Sequence, residues 1–147
     1  MPSSTLTTFD DLAEQVGKAV HNWNADTLKL ALTNVAPNAA TNTVLADITQ
    51  ISNGAGYTGG AGGGYAVSGR SFTETGGVAT LTFTDHVITA SGGTLATFRY
   101  VVLYNDTPTS PADPLIGYWD YGSGLSLADT ETLTVDLGAN GAVQITA

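Results

Sequence analysis

The chain has 147 residues, 42% of them apolar, which is the length of one domain with enough hydrophobic material to close a core. Charged residues make up only 12%, about half the share usual in a soluble domain, so threonine, serine, asparagine and glycine must supply most of the solvated surface. Lys18, Lys29, Arg70 and Arg99 stand against 13 acids for a formal net charge of −9, and four scattered cations cannot neutralise a run of phosphates, which argues against direct nucleic-acid binding and against anionic membranes.

There is no cysteine, so disulfide frameworks and thiolate metal sites are excluded. The opening MPSSTLTTFDD has neither a basic n-region nor an apolar run, so no signal peptide is expected. No window approaches the ~20 apolar residues of a transmembrane helix.

The first predicted element is a helix over FDDLAEQVGKAVHNW. Thr8 with Asp11 three residues on resembles a capping box, and Asp10, Asp11 and Glu14 place negative charge in the first turns, where the helix dipole favours it. Phe9, Leu12, Val16, Ala19, Val20 and Trp23 recur at spacings of three and four and form one apolar stripe. That stripe docks either on the chain's own sheet or on a neighbouring subunit. Residues 1–25 are therefore read as an N-terminal helical arm and 26–147 as a β-sandwich domain.

After Asp26 the period changes to two. In TLKLALT, Leu28, Leu30 and Leu32 take one face of a strand and Lys29 and Ala31 the other. TVLADITQI is ambiguous between extended chain and a short helical turn; Leu45, Ile48 and Ile51 lean helical. The glycine-rich NGAGYTGGAGGGY follows, read as a loose loop crossing to the main sandwich. Beyond it come YAVSGRSFTE and VATLTFTD, flanking a Thr75-Gly76-Gly77 hairpin turn, then HVITA and a Gly92-Gly93 turn. FRYVVLY is nearly continuous in apolar residues and predicts a central strand buried on both faces. NDTPTSPADP reads as an exposed loop. LIGYWDYG, SGLSLAD, TLTVDL and AVQITA complete about eight short strands at the ~8–12-residue spacing of sandwiches and barrels. The expectation is a mainly β protein, a single antiparallel β-sandwich of jelly-roll type behind the helical arm.

Several patterns invite a chemical reading. GAGYTG at 54–59 spells G-x-G-x-x-G, and Glu74 lies at an acceptable distance for a ribose acid. A dinucleotide site needs a strand into the first glycine and a helix opening at the last, whereas here a weak strand leads in and more glycine leads out. Asp85-His86 could form half of a catalytic triad, but no G-x-S-x-G elbow is present; YGSGL comes nearest. His21 and His86 are too far apart in sequence for an H-x-x-x-H pair, and no calcium-loop pattern occurs, so no metal or cofactor is expected. Tyr118, Trp119 and Tyr121 form an aromatic group in which alternation separates Tyr118 from the other two. Trp119 belongs in the core on this reading, and an exposed Tyr118 would suit sugar stacking or an interface.

The blocks DTLKLALTN, APNAATNTVLADITQI, GYTGG, FRYVVLYNDT, DPLIGYWDYG and TLTVDLGANGAV together resemble a family of small tailed-bacteriophage virion structural proteins associated with capsid decoration or cementing. The resemblance covers most of residues 26–146 and is most specific from FRYVVLYNDT through DPLIGYWDYG. The N-terminal helix and GGYAVSGRSFTETGG depart from it. It implies a non-enzymatic β-sandwich at the virion surface, a homo-oligomer, often a trimer, with the major capsid protein as partner. It carries no catalytic residue over. The candidate contact residues are Phe9, Leu12, Val16 and Trp23 of the stripe, Tyr57 and Tyr65 of the glycine-rich loop, and Tyr118. The alternative reading is a glycan- or receptor-binding module of a phage tail or fibre, with Tyr118–Tyr121 as its stacking platform. A hydrolase using His86 ranks below both.

Overall fold

The computed structural model describes residues 5–147. Its centre is β7 (Phe98–Asn105), which pairs antiparallel with β2 (Leu28–Thr33) on one side and β8 (Leu115–Leu125) on the other. Two-residue strands finish this five-stranded sheet: β1 (Thr7–Thr8) outside β8, and β3 (Tyr65–Ala66) outside β2. The register sets Leu30 against Leu103, and Leu32 and Trp119 on either side of Val101. Leu28, Leu30, Leu32, Val101, Leu103, Ile116 and Trp119 fill the main core. On the opposite face Ala31, Val102, Tyr104 and Leu115 pack against Phe9, Leu45 and Ile48. From Tyr100 to Tyr104 the strand alternates between two buried faces, which is why YVVLY is an unbroken apolar run, while Arg99 stands near the half-exposed start of the strand.

The second layer consists of β4 (Ser71–Thr75), β5 (Val78–Thr82) and β10 (Val143–Thr146) in the order β10-β5-β4, beside the pair β6 (His86–Thr89) and β9 (Thr132–Val135). It closes the main core with Leu81, Ile88, Leu133, Val135 and Val143. All strand pairings are antiparallel, giving the mainly β, sandwich-like architecture expected. Jelly-roll connectivity is a finer statement than these strand orders carry. The β4–β5 hairpin turns at Gly76 and Gly77, with φ of +61° and +85°, the two consecutive positive values that a tight twisted hairpin needs.

The N-terminal helix is shorter than its periodicity suggests. Helix α1 covers only Leu12–Gly17, and residues 1–4 of the expected arm lie outside the described residues. Thr7 and Thr8 pair with Tyr118 and Gly117 as a strand, so the expected capping box does not form, and the Asp11 carboxylate accepts from the Gln15 side chain. Ala19 at φ +59° turns the chain out of the helix two residues after Gly17. The apolar stripe is thus three separate insertions. Phe9 enters the second core, while Leu12 and Trp23 enter the main one, each at least nine-tenths buried in this chain. The helical lean of TVLADITQI is realised as a single 3-10 turn at Leu45–Asp47, closed by the Asp47 carboxylate accepting from Thr43 and Val44 N–H.

Candidate functional site

The glycine-rich loop is the most elaborately bonded segment, and its geometry decides what GAGYTG does. Gly54 and Tyr57 exchange both backbone hydrogen bonds, at 2.9 and 3.0 Å, and close a tight turn inside the motif. Tyr57 is buried beneath it. Its hydroxyl accepts from Leu32 N–H at 3.1 Å and donates to Gln50 Oε1 at 2.7 Å, and burial pushes the phenol up to about 12. Gly59 N donates to Asn53 Oδ1, Gly62 N to Asp113 Oδ2, Gly63 N to Gly60 O and Gly64 N to Thr58 O. Gly54, Tyr57 and Gly59 within the motif, and Gly62, Gly63 and Gly64 after it, thus already give their N–H groups to protein acceptors, which leaves no run of inward N–H groups for a phosphate. No helix opens after Gly59. Glu74 is spent elsewhere, accepting from Gly77 N in the β4–β5 hairpin.

The glycines serve close approach instead. A Cβ at Gly64, where φ is +94°, would lie 2.1 Å from Leu30 O on β2, and one at Gly63 would lie 2.6 Å from Gly59 C. No side chain fits either place. The reading of a loose crossing is therefore corrected: the loop is laid flat on β2 and fastened there.

Its fastening is ionic as well as backbone. Lys29 Nζ meets Asp106 Oδ2 at 2.8 Å and donates to Gly62 O at 2.8 Å, and the Tyr104 hydroxyl donates to Gly63 O. Asp113, at φ +52°, holds Gly62 N from the other side. Burial raises its carboxyl above the ordinary aspartate range, and the neighbouring Asp106 charge adds to the shift. Beside this clamp lies a half-open groove of about 390 Å³ lined by Leu45, Ile48, Gln50, Ala61 and Asp113. It brings one carboxyl group to an apolar wall, with no serine or histidine among the lining residues. Sequence reading missed Lys29, Asp106 and Asp113. A trace was visible: Lys29 is the one cation in an otherwise apolar strand, and the two acids flank the proline-rich loop.

The other candidates disperse. Phe9, Leu12, Trp23 and Tyr57 are in the chain's own interior, which leaves Val16, Tyr65 and Tyr118 half-buried and reachable. Tyr65 stacks between Tyr57 and His86, at ring separations of 5.6 and 5.3 Å. His86 is thereby held against an aromatic ring, its pKa lowered by burial, while the Asp85 carboxylate accepts from Leu137 N, so the two members of the Asp85-His86 pair are on different partners. His21 lies in a second network, with Asn105 Nδ2 donating to His21 Nδ1 at 3.1 Å and to Asp26 Oδ2 at 2.6 Å. Tyr118 packs against Phe9 and Tyr100 at 5.4 and 6.1 Å, and Arg99 lies over the Tyr100 ring while its guanidinium forks onto Asp120. Trp119 takes the core position expected of it. Among the described residues no cluster of three or more histidine and acid side chains could hold a metal ion, and no helix is long and apolar enough to cross a membrane. The comparisons with known proteins give no match: no family model, no curated protein and no solved structure is similar to this chain.

Proposed function

We propose that the chain is a bacteriophage virion structural protein of the capsid decoration type, a homo-oligomer that binds and stabilises the shell of the major capsid protein. One observation carries the reading. Four of the blocks that carry the resemblance, DTLKLALTN, GYTGG, FRYVVLYNDT and DPLIGYWDYG, converge on a single unit: β2, β7 and β8 side by side, with the glycine-rich loop clamped on β2 by Lys29, Asp106 and Asp113. Residues scattered over some ninety positions thus specify one continuous scaffold, as a family likeness requires. The threonine-rich outer strands, with Glu74 as the one charged side chain among β4, β5, β9 and β10, suit a protein whose work is contact with other chains.

The test is co-sedimentation of purified protein with empty shells of the major capsid protein from the same phage, followed by particle imaging. Stoichiometric density on the shell surface is the expected result. Unbound protein in the supernatant, or density confined to the tail, overturns the reading. A tail or fibre glycan module is the second reading, favoured by the half-buried Tyr118 beside Tyr100 and Arg99. It requires a glycan-array signal that Tyr118→Ala abolishes.

A further inference from the structure

The three-stranded sheet has two edges, and they are finished differently. The two-residue hairpin sets Thr75 and Val78 as a bonded pair, so Phe72 and Glu74 turn their backbone groups outward from β4. Asn24 takes both groups of Phe72: its Nδ2 donates to Phe72 O at 3.2 Å and its Oδ1 accepts from Phe72 N at 2.9 Å. Glu74 adds a negative charge to what remains. On β10, Ala147 N donates to Gly77 O, so Val143 and Ile145 bond toward β5 while Gln144 and Thr146 turn their N–H and C=O away from it. Among the described residues nothing takes those four groups. The strand reads VQIT, with no charge, no proline and two β-branched apolar residues, so only its four-residue length limits pairing at this edge.

The ground beside this edge is equally bare of charge. Open grooves run between β10 and the segment Thr5–Asn24, walled by Leu6, Leu12, Val16, Phe72 and Ile145. Asp10 is the one acid among their lining residues, on a chain of net charge −9. Ile145, 39% exposed, is one of three large apolar side chains left open to solvent.

We propose that β10 is the contact through which two copies of this chain pair, edge to edge and antiparallel, about a two-fold axis at Ile145. A second copy fits this edge for two reasons. Pairing Gln144 of each copy with Thr146 of the other satisfies every outward N–H and C=O of both strands, and it sets Ile145 against its own twin in the closely spaced, non-bonded position. A patch almost free of charge also lets two chains of −9 meet without like-charged groups in contact. The inference stands apart from the decoration reading. A trimer of the kind the resemblance implies has a different symmetry, and solution mass tells the two apart.

Light scattering across a dilution series should report twice 15.0 kDa at the concentrated end. Amide exchange should protect Gln144 and Thr146 there and release both on dilution. Ile145→Asp puts two carboxylates face to face across the axis and should weaken pairing by about tenfold or more. Thr73→Asp, exposed on β4 of the same sheet, should leave the mass unchanged. A one-copy mass throughout the series overturns the proposal, as does a mass that Ile145→Asp does not lower. Should Ile145→Asp lose the native circular dichroism, amide exchange in the unaltered chain decides, since rapid exchange at both amides in concentrated solution also overturns it. Absence of capsid binding by an intact two-copy protein counts against the decoration reading alone.

Discussion

Asp113 sits at the joint of three pieces of the molecule, and its protonation state should be felt in stability. Burial holds its carboxyl above the ordinary aspartate range, so the folded chain binds this proton more tightly than the unfolded chain does. The ionised carboxylate therefore costs stability at pH values above the folded pKa, and the cost disappears below the unfolded value near ~3.9. Asn at this position can still accept from Gly62 N and tolerates the positive φ. Asp113→Asn should raise the melting temperature at neutral pH by an amount that shrinks steadily toward pH 3. Thermal melts of both proteins over that range check it, and a difference independent of pH would show that the carboxyl is not what is strained. No sequence pattern announces such a residue, because the upward shift comes first from burial at this joint and then from the Asp106 charge, while Gly62 N, 51 positions away, works against it.

Among the elements, the glycine-rich loop and the N-terminal helix show where sequence periodicity does and does not carry structure. β7 was legible because one strand buried on two faces leaves a contiguous apolar signature that nothing else in the chain imitates. The β4–β5 hairpin was legible from Gly76-Gly77 for the same local reason. Helix α1 was overextended because Phe9, Leu12, Val16 and Trp23 have helical spacing while reaching the interior from three conformations. Burial supplied the stripe, and the helix supplied only its middle. The loop showed its glycines but not what needed them, since the atoms that exclude a Cβ belong to Leu30 and Gly59. That distinction can be measured. Gly60 has φ +92° with open space around it, and Gly64 has φ +94° against Leu30 O. Gly60→Ala should cost only the backbone term, about 1–2 kcal/mol, while Gly64→Ala adds a clash with β2 and should cost about 4 kcal/mol or more in urea unfolding. Equal losses would mean that the close approach to β2 is unimportant.

At the scale of the whole molecule, the segment 5–25 belongs to the body. Phe9 and Tyr118 close one face of the five-stranded sheet, Leu12 and Trp23 close the other side, and Thr7–Thr8 cover the edge of β8. Losing a buried aromatic side chain costs about 3–5 kcal/mol, against a total stability of about 5–15 kcal/mol for an average domain. Deleting residues 1–24, Trp23 among them, should consequently abolish the cooperative thermal transition and the near-ultraviolet dichroism of the remaining Trp119. A truncated chain that melts like the full one would instead make residues 1–25 an arm independent of the body. Attachment to a partner is better probed with Val16 and Tyr118, which are reachable without emptying the core.

Asn24 has a consequence that reaches beyond one molecule. By occupying the backbone of Phe72 with a side-chain amide, it ends the three-stranded sheet on one side while the other side stays open. A sheet with two live edges propagates: each added chain presents a fresh edge to the next, and the product is a fibre. A sheet with one live edge stops after a single joining, because the outer margins of the pair are both the capped kind. On the proposed pairing, the Asn24 cap and the Glu74 charge together leave the joined sheet no open β4 margin from which to extend.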